Sequence, residues 1–396
     1  MSAQSNRLGS IALLTPGVTP YVTGGLQRHS FNLAKYLARK GVKVDLYHTR
    51  FSQGQDINQL EGLSHAEREQ ITSISIPWKA DRFPGHYIRS LKRFSRMAYD
   101  IYDTRPAVDF IIGKSITAWT FVEAKRQGRK LPPIAVNFHG YEMFQHRPTI
   151  RTKMEAAMLR PDFRQHARGA DFLLSYGGKI TDIVETSLRL QRSRIIEIPG
   201  GTDPALIVPN VPPTSEKRRF VFLGRYERRK GIEELNAAIT ANPIWQQKCE
   251  FVFIGGISPD VRLNITHVSY LGEIRNVSEI QSHFSQSDIL LCPSHSEGMP
   301  NVIMEGMAAG LAILATDVGA VSLLVSEKNG VVLPSPTAKG IGQAIEQFLS
   351  MPDETLDSMK HCSLAHIKNF GWPAIADQTC NLLSEVLNNP NEGASR

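Results

Sequence analysis

Two α/β domains in tandem, each with a parallel sheet covered by helices on both faces, form the fold class that the sequence predicts. The chain has 396 residues, too many for one hydrophobic core, so two domains of roughly 200 residues are expected. In both halves, short apolar segments alternate with segments of helical period, a pattern that indicates parallel strand pairing. A stretch rich in proline and glycine, residues 198–218, separates the halves.

The first half begins with a strand, a turn and a helix. "SIALLTPG" (10–17) predicts a strand that ends in a Pro-Gly turn, and residues 24–41 carry apolar side chains near helical spacing before Gly41. Later strands of this half are predicted at "VKVDLYHT", "VDFIIGK", "PPIAVNFHG", "ADFLLSYG" and "SRIIEIPGG".

The second half repeats the alternation. Its strands are predicted at "RFVFLGR", "CEFVFIGG", "ITHVSYLG", "DILLCPS", "LAILATD" and "GVVLPS". Because ligands of open α/β sheets bind outside the carboxyl ends of the strands, two such domains are expected to form a cleft between their sheet ends.

The composition is that of a soluble globular protein, with 41% hydrophobic and 21% charged residues. No apolar run approaches the roughly 20 residues needed to span a bilayer, and the polar N-terminus lacks an apolar signal core. The four cysteines show no metal-ligand spacing, so we expect reduced thiols and a cytoplasmic protein. They are Cys249, Cys292, Cys362 and Cys380.

Charge is distributed unevenly between the halves. Residues 1–200 hold 30 Lys and Arg against 17 Asp and Glu, whereas residues 201–396 hold 15 against 21. This asymmetry indicates either an anionic partner for the first half or a simple contribution to solubility. Within residues 86–105, apolar positions recur at helical spacing among basic residues. That pattern is typical of a helix lying on an anionic membrane and equally of an ordinary surface helix of the first domain.

Several function classes lack their usual motifs. The first strand is not followed by a GxGxxG fingerprint, and the Walker phosphate loop and an Asp-x-Asp metal clamp are missing. Nicotinamide chemistry, ATP hydrolysis and metal-held nucleotide sugars are therefore less favoured. Sequence-specific contact with nucleic acid is not expected either, since no aromatic-basic stripe or recognition helix is evident.

Two segments of the second half carry residues suited to chemistry. In "FVFLGRYERRKGIEEL" (220–235), Arg225 follows a strand and Lys230 precedes a helix, where two cations can hold a diphosphate; a solvated cationic turn is the alternative. In "SHSEGMPNVIMEGMAAG" (294–310), Glu297 lies in a loop and Glu305 in the following helix, where it can accept hydrogen bonds from ribose hydroxyls. The alternative is a capping acid and a helix-face acid.

Together these segments resemble the family 4 retaining glycosyltransferases with the GT-B fold, also called glycosyl transferases group 1. The cation pair followed by two glutamates separated by seven residues is similar to that family's signature. Other landmarks lie in the same order and cover most of the chain: "TGGLQRH" (23–29), "NFHG" (137–140), "IPGGTDPALI" (198–207), "VSYLGEI" (268–274) and "ATDVGAVSLLV" (315–325).

The resemblance implies a GT-B architecture, in which two Rossmann-like domains face each other across a nucleotide-sugar cleft. Residues 1–200 would form the acceptor-side domain and residues 201–371 the donor-binding domain, with a C-terminal helix at about 372–396 packing back on the first domain. One departure concerns the hinge, which reads Gly200-Gly201 where the family usually has Asn-Gly. Asp203 is therefore open to two roles, ligand contact or capping of a turn.

The resemblance also assigns roles to individual residues. Arg225 and Lys230 would bind the donor diphosphate, Glu297 the donor sugar and Glu305 the ribose. His139 would face the sugar or the acceptor. The catalytic set is thus Glu297, His139, Arg225 and Lys230, and the donor-binding set is Gly24, Gly25, Arg225, Lys230, Gly272, Ile274, Glu297, Gly298, Met299, Pro300, Asn301, Val302 and Glu305.

The implied activity is hexosyl transfer with retention of configuration, without a metal and without a cofactor beyond the donor substrate. The expected donor is UDP-glucose or a related UDP-sugar. The expected acceptor is a lipid-linked glycan or a polysaccharide in envelope or exopolysaccharide synthesis, with peripheral contact at the inner face of an anionic membrane. A small soluble acceptor such as a sugar phosphate is the alternative, and a non-catalytic nucleotide-sugar binding protein is a third hypothesis.

Overall fold

Seven parallel strands form the first sheet, in the order β3-β2-β1-β4-β5-β6-β7. The computed structural model describes residues 7–22, 24–50, 62–78 and 85–389. The strands are β1 (Ser10–Thr15), β2 (Lys43–Arg50), β3 (Ile71–Pro77), β4 (Phe110–Lys114), β5 (Ile134–Asn137), β6 (Phe172–Ser175) and β7 (Ile195–Glu197).

Among the described residues, six helices precede the second sheet in the chain and accompany the first sheet. Apolar clusters fill both of its faces, so the central strands are buried on both sides and read as nearly continuous apolar runs. The helices are α1 (Gly25–Arg39), α2 (His65–Gln70), α3 (His86–Tyr102), α4 (Trp119–Arg126), α5 (Ile150–Gly169) and α6 (Lys179–Thr186).

The second sheet has six parallel strands in the order β10-β9-β8-β11-β12-β13 and is also covered on both faces. Its strands are β8 (Arg218–Leu223), β9 (Cys249–Ile254), β10 (Val268–Gly272), β11 (Ile289–Cys292), β12 (Ala312–Thr316) and β13 (Gly330–Leu333). The remaining helices are α7 (Ile232–Thr240), α8 (Val277–Ser285), α9 (Asn301–Ala308), α10 (Val321–Leu324), α11 (Ala338–Ser350), α12 (Asp353–Ile367) and α13 (Trp372–Asn388).

The predicted fold class is confirmed, because both sheets are parallel and both carry helices on their two faces. Strand β3 was not among the predicted strands. Its sequence, "ITSISIP", alternates apolar and polar residues, and among the described strands it lies at the sheet edge and pairs with β2. An edge strand with one polar face lacks the continuous apolar run that revealed the other strands.

Helix α3 covers most of the amphipathic segment 86–105. Its apolar stripe faces the protein interior, with Ile88, Leu91, Phe94 and Ala98 all buried. The stripe therefore packs on the first sheet and is not available to a membrane surface.

The chain crosses between the two sheets twice, and the two crossings touch. Thr202, in the segment after β7, forms an isolated parallel bridge with Gly371. Beyond this bridge, α13 packs on α1, and Trp372 is buried with its ring stacked on Tyr36. A Cβ atom at Gly201 would lie 2.6 Å from the Trp372 ring, so this hinge glycine is required by close packing. Residues 390–396 of the predicted C-terminal helix lie outside the described residues.

All four cysteines are free thiols, as expected from their spacing. Within the described residues, no helix combines the length and the apolar character that crossing a bilayer requires.

We expect Trp372→Ala to lower the free energy of unfolding of the first domain by about 3–5 kcal/mol, the usual cost of removing a buried aromatic side chain. Urea unfolding of the full chain, followed by circular dichroism, measures this loss. The matched control is Glu385→Ala, an exposed position on the same helix. An equal loss in both variants would show that the packing of Trp372 is not what fixes α13.

Candidate active site

A cleft of about 930 Å³ lies between the carboxyl ends of the two sheets, a volume typical of small-molecule sites. Its walls come from both domains. The predicted site residues that line it are Gly24, Gly25, His139, Arg225, Lys230, Ile274, Glu297, Gly298, Met299, Pro300, Asn301, Val302 and Glu305. The structure thus brings together nearly the whole predicted set.

Gly272 is the predicted residue that does not line the cleft. It ends β10 with a positive φ of 77°, and its carbonyl oxygen accepts a hydrogen bond of 2.7 Å from the Gly255 N–H group. The structure therefore gives Gly272 a role in holding two loops together, and the neighbouring Glu273 and Ile274 form the wall.

Glu297 lies in the loop between β11 and α9 and is 7% exposed. Its Oε1 atom lies 2.6 Å from Nζ of Lys230 and accepts a hydrogen bond of 2.8 Å from the Ser294 hydroxyl. Arg229 approaches the other carboxylate oxygen at 3.6 Å. Burial acts to raise the pKa of Glu297, but Lys230 and Arg229 outweigh it, so the pKa lies below its ordinary value. The carboxylate is charged and fixed in place at neutral pH.

A single turn at the end of β8 supplies the cations that meet Glu297. Arg228, Arg229 and Lys230 form a 3-10 turn, and Gly231 follows with a φ of 70° before α7 begins. A Cβ atom at Gly231 would lie 1.7 Å from the Pro293 carbonyl oxygen, so only glycine lets this turn reach the loop that holds Glu297.

Arg225 and Arg229 differ in their surroundings, although both line the cleft. The Arg225 side chain is 79% exposed and pairs with Glu227 at 2.7 Å. Arg229 is mostly buried and faces Glu142 and Glu297 in addition to Glu227. Sequence reasoning missed Arg229; the signal was the basic run "RRK", of which only the last residue was chosen.

Glu305 projects from α9 into the cleft and forms an ion pair with Arg28 of α1. Its side chain is 14% exposed, so the partner from the first domain covers it. Gly25 approaches the same helix: a Cβ atom there would lie 3.1 Å from the Asn301 amide nitrogen and 3.4 Å from Nε2 of His139. A side chain at position 25 would therefore fill space between the two domains.

His139 lies in a left-handed conformation, with φ of 58°, just after β5. Its Nδ1 atom lies 2.5 Å from the Tyr176 hydroxyl. Burial, with a smaller effect of Lys114, lowers the pKa of His139 to about 3, so the ring is neutral at neutral pH. Burial also raises the pKa of Tyr176, so its hydroxyl stays protonated and can donate a hydrogen bond to Nδ1. In that tautomer Nε2 carries the ring's proton, on the side of Gly25 and the cleft.

The loop after β5 also contacts the second domain. The Gln145 amide group donates to the Glu297 carbonyl oxygen at 2.5 Å and accepts from the Glu297 N–H group at 3.3 Å. Next to it, the His146 ring stacks on His295 with centroids 5.7 Å apart. These contacts were not predicted, because nothing in the sequence of an irregular loop shows what lies across a domain interface.

One carboxylate near this loop faces two arginines. Glu142 lies 3.7 Å from Arg147 and 3.8 Å from Arg229, both longer than a hydrogen bond. All three residues line the cleft, and at 3.7 Å the Arg147 guanidinium is not hydrogen-bonded to the carboxylate that faces it.

Asp203 does not line the cleft; its carboxylate accepts a hydrogen bond from the Ala205 N–H group at the start of a short 3-10 turn. Of the two roles left open for it, the structure supports the capping role.

We expect Lys230→Met and Glu297→Gln to be energetically coupled by about 0.5–3 kcal/mol in the free energy of unfolding, as is usual for residues in direct contact. The matched pair is Arg225→Met with Glu297→Gln, for which coupling near zero is expected, since Arg225 pairs with Glu227. Urea unfolding of single and double variants measures both quantities.

The coupling should also depend on pH. Because the folded-state pKa of Glu297 is lowered, its charge stabilises the fold above the unfolded pKa, and this stabilisation is lost as pH falls through the folded value. A coupling that is absent at neutral pH, or that grows in acid, would contradict the electrostatic account.

Two protein-family models match this chain. The family model described as Glycosyltransferase Family 4 matches residues 23–206, and the one described as Glycosyl transferases group 1 matches residues 217–351. Together they cover most of the chain. The D-inositol 3-phosphate glycosyltransferase of Corynebacterium aurimucosum is 25% identical over 92% of this chain and 91% of its own.

Solved structures show the same fold. Sucrose-phosphate synthase from Thermosynechococcus elongatus superimposes with a TM-score of 0.75 at 18% identity, over 96% of this chain and 99% of that one. A structure from E. coli described as trehalose-6-phosphate bound with UDP-2-fluoro glucose gives a TM-score of 0.71 at 15% identity, over 95% and 99% of the chains. The family matches and the shared GT-B fold together establish that this chain belongs to the group 1, family 4 glycosyltransferases.

Proposed function

We propose that this protein transfers a hexosyl group from a UDP-sugar to a hydroxyl group of a small soluble acceptor that carries a phosphate. The observation that carries this proposal is the distribution of charge in the cleft. Lys230 and Arg229 face Glu297 and Arg225 lines the same wall, while on the first-domain side Arg147 lies 3.7 Å from Glu142, beyond hydrogen-bond distance.

The donor half suits a nucleoside diphosphate leaving group. Negative charge grows on the β-phosphate as the anomeric bond breaks, and the cations of the turn after β8 lie where they can stabilise it. Loss of one such preorganised group typically costs about 10²–10³ in rate. Because these cations are supplied by the chain itself, we propose that no metal is needed. We propose UDP as the nucleotide of the donor because the structural neighbour from E. coli is described as bound with UDP-2-fluoro glucose.

We propose that the reaction retains the anomeric configuration, and the contacts of the Glu297 carboxylate support this. Its Oε1 atom is already held by Lys230 and Ser294, so the carboxylate is better placed to stabilise positive charge on the sugar than to form a covalent bond with it. We therefore propose attack on the same face as the leaving group, with the departing phosphate accepting the proton of the acceptor hydroxyl. The neutral His139 would donate its Nε2–H group to the sugar or the acceptor.

We propose a phosphorylated soluble acceptor in preference to the lipid-linked or polysaccharide acceptor expected from the sequence. The full-length relative is named for inositol 3-phosphate, and a structural neighbour is named sucrose-phosphate synthase. Arg147 offers a guanidinium group with a distant counter-charge, which suits the planar, bidentate recognition of a phosphate.

The direct test is product formation from UDP-hexoses with inositol 3-phosphate or fructose 6-phosphate, each compared with its unphosphorylated form. We expect transfer to the phosphorylated form, no loss on adding EDTA, and the donor's anomeric configuration in the product by NMR. Arg147→Met should raise the KM for the acceptor about tenfold, as loss of one charge-assisted contact does. Arg129→Met, a surface position, is the control. Equal transfer to the unphosphorylated acceptor would overturn the phosphate assignment.

The two glutamates should respond differently to loss of charge. Glu305→Gln should weaken binding of free UDP and of UDP-sugar by similar factors, because the ribose is common to both. Glu297→Gln should affect turnover more than UDP affinity, since contacts that strengthen in the transition state change kcat. Calorimetric UDP affinity and steady-state rates measure the two effects. The reverse pattern would exchange the roles assigned to the two residues.

A further inference from the structure

The outer face of α5 carries an apolar stripe that nothing in the described structure covers. Ile150, Met154 and Met158 are 77%, 63% and 70% exposed, the highest values among the large hydrophobic side chains of the described residues. Because they recur every fourth residue of one helix, they lie in a row. Single exposed apolar residues are common, whereas an aligned row of them indicates a contact surface.

The same face becomes strongly basic toward the end of the helix. Pro161, Arg164, Gln165 and Arg168 continue the row, and with Arg126 at the end of α4 they line a cavity of about 430 Å³. In the described part of the chain, none of these three arginines forms an ion pair with a carboxylate. The two acids of the helix are already neutralised: Glu155 pairs with Arg151 at 3.0 Å and Asp162 with Lys92 at 2.5 Å.

The inner face of α5 holds this surface in place. Phe163 and Ala167 are buried in the core of the first domain. Leu159 and Phe163 also line the cleft between the domains. The helix therefore separates the reaction cleft from the exposed row, and it presents that row on a supported element.

We propose that the outer face of α5 docks the protein on an anionic lipid membrane, with Ile150, Met154 and Met158 entering the interfacial region and the arginine cavity binding lipid phosphate groups. An apolar row combined with basic residues that no described carboxylate pairs with is what interfacial binding requires, although Arg164 also lies over the Phe144 ring at 5.6 Å. A second copy of the chain is disfavoured as the occupant, because a symmetric contact would bring the same unpaired arginines toward each other. This proposal goes beyond the proposed reaction and does not depend on the acceptor.

Vesicle flotation of the full chain, without donor or acceptor, tests the proposal. At low salt we expect binding to phosphatidylcholine vesicles that contain phosphatidylglycerol, at least about tenfold stronger than to phosphatidylcholine alone, and weakening as salt screens the charges. Met154→Glu with Met158→Glu, and separately Arg164→Glu with Arg168→Glu, should each reduce the binding about tenfold or more.

The matched controls are Ile244→Glu, an exposed apolar position of the second domain, and Lys328→Glu, an exposed basic one; both should bind as the wild type does. Calorimetric UDP affinity should be unchanged in every variant and serves as the folding control. Three results would overturn the proposal: no binding of the wild type to anionic vesicles at low salt, equal binding by the α5 variants, or a dimer in light scattering that Met154→Glu with Met158→Glu dissociates. None of these results bears on the proposed transfer reaction.

Discussion

The buried contact between Lys230 and Glu297 is the interaction on which the geometry of the cleft depends. A charged carboxylate that is 7% exposed is stable only because a cation at 2.6 Å and a second one at 3.6 Å offset the cost of burial. The need to bring that lysine close explains the glycine at 231, whose backbone passes against Pro293. Ends of two neighbouring strands, β8 and β11, are thereby locked together at the point where the first domain approaches.

The first domain completes the site through its loops. Gln145 binds the peptide of Glu297, Arg28 covers Glu305, and His139 lies near Gly25 and Asn301. The touching chain crossings at Thr202 and Gly371, together with α13 packed on α1, are a second connection between the two domains. The two domains are therefore joined both by the chain itself and by polar contacts across the cleft.

The sequence predicted most of the cleft wall that the second domain forms and less of the wall that the first domain forms, for a physical reason. Arg225, Lys230 and Glu297 lie in short segments between a strand and a helix, and Glu305 lies in α9, the helix that follows Glu297, so local pattern determines their positions. Arg147, Gln145 and Tyr176 act through contacts with distant segments, which local pattern does not encode. Helix α3 illustrates a different limit: an apolar stripe among basic residues has the same periodicity whether it faces a core or a membrane. The exposed row on α5 became visible only once burial was known.

The hydrogen bonds between Gln145 and residue 297 bear on how a cleft of this kind can lose its activity during evolution. Both hydrogen bonds go to main-chain atoms of residue 297, so they do not depend on which side chain that residue carries. A descendant of this chain could lose the carboxylate and still hold its two halves together around a nucleotide sugar. The backbone atoms of residue 297 hold the two domains together, whereas its side-chain carboxylate contacts Lys230. The domain contact can therefore persist when the carboxylate is lost.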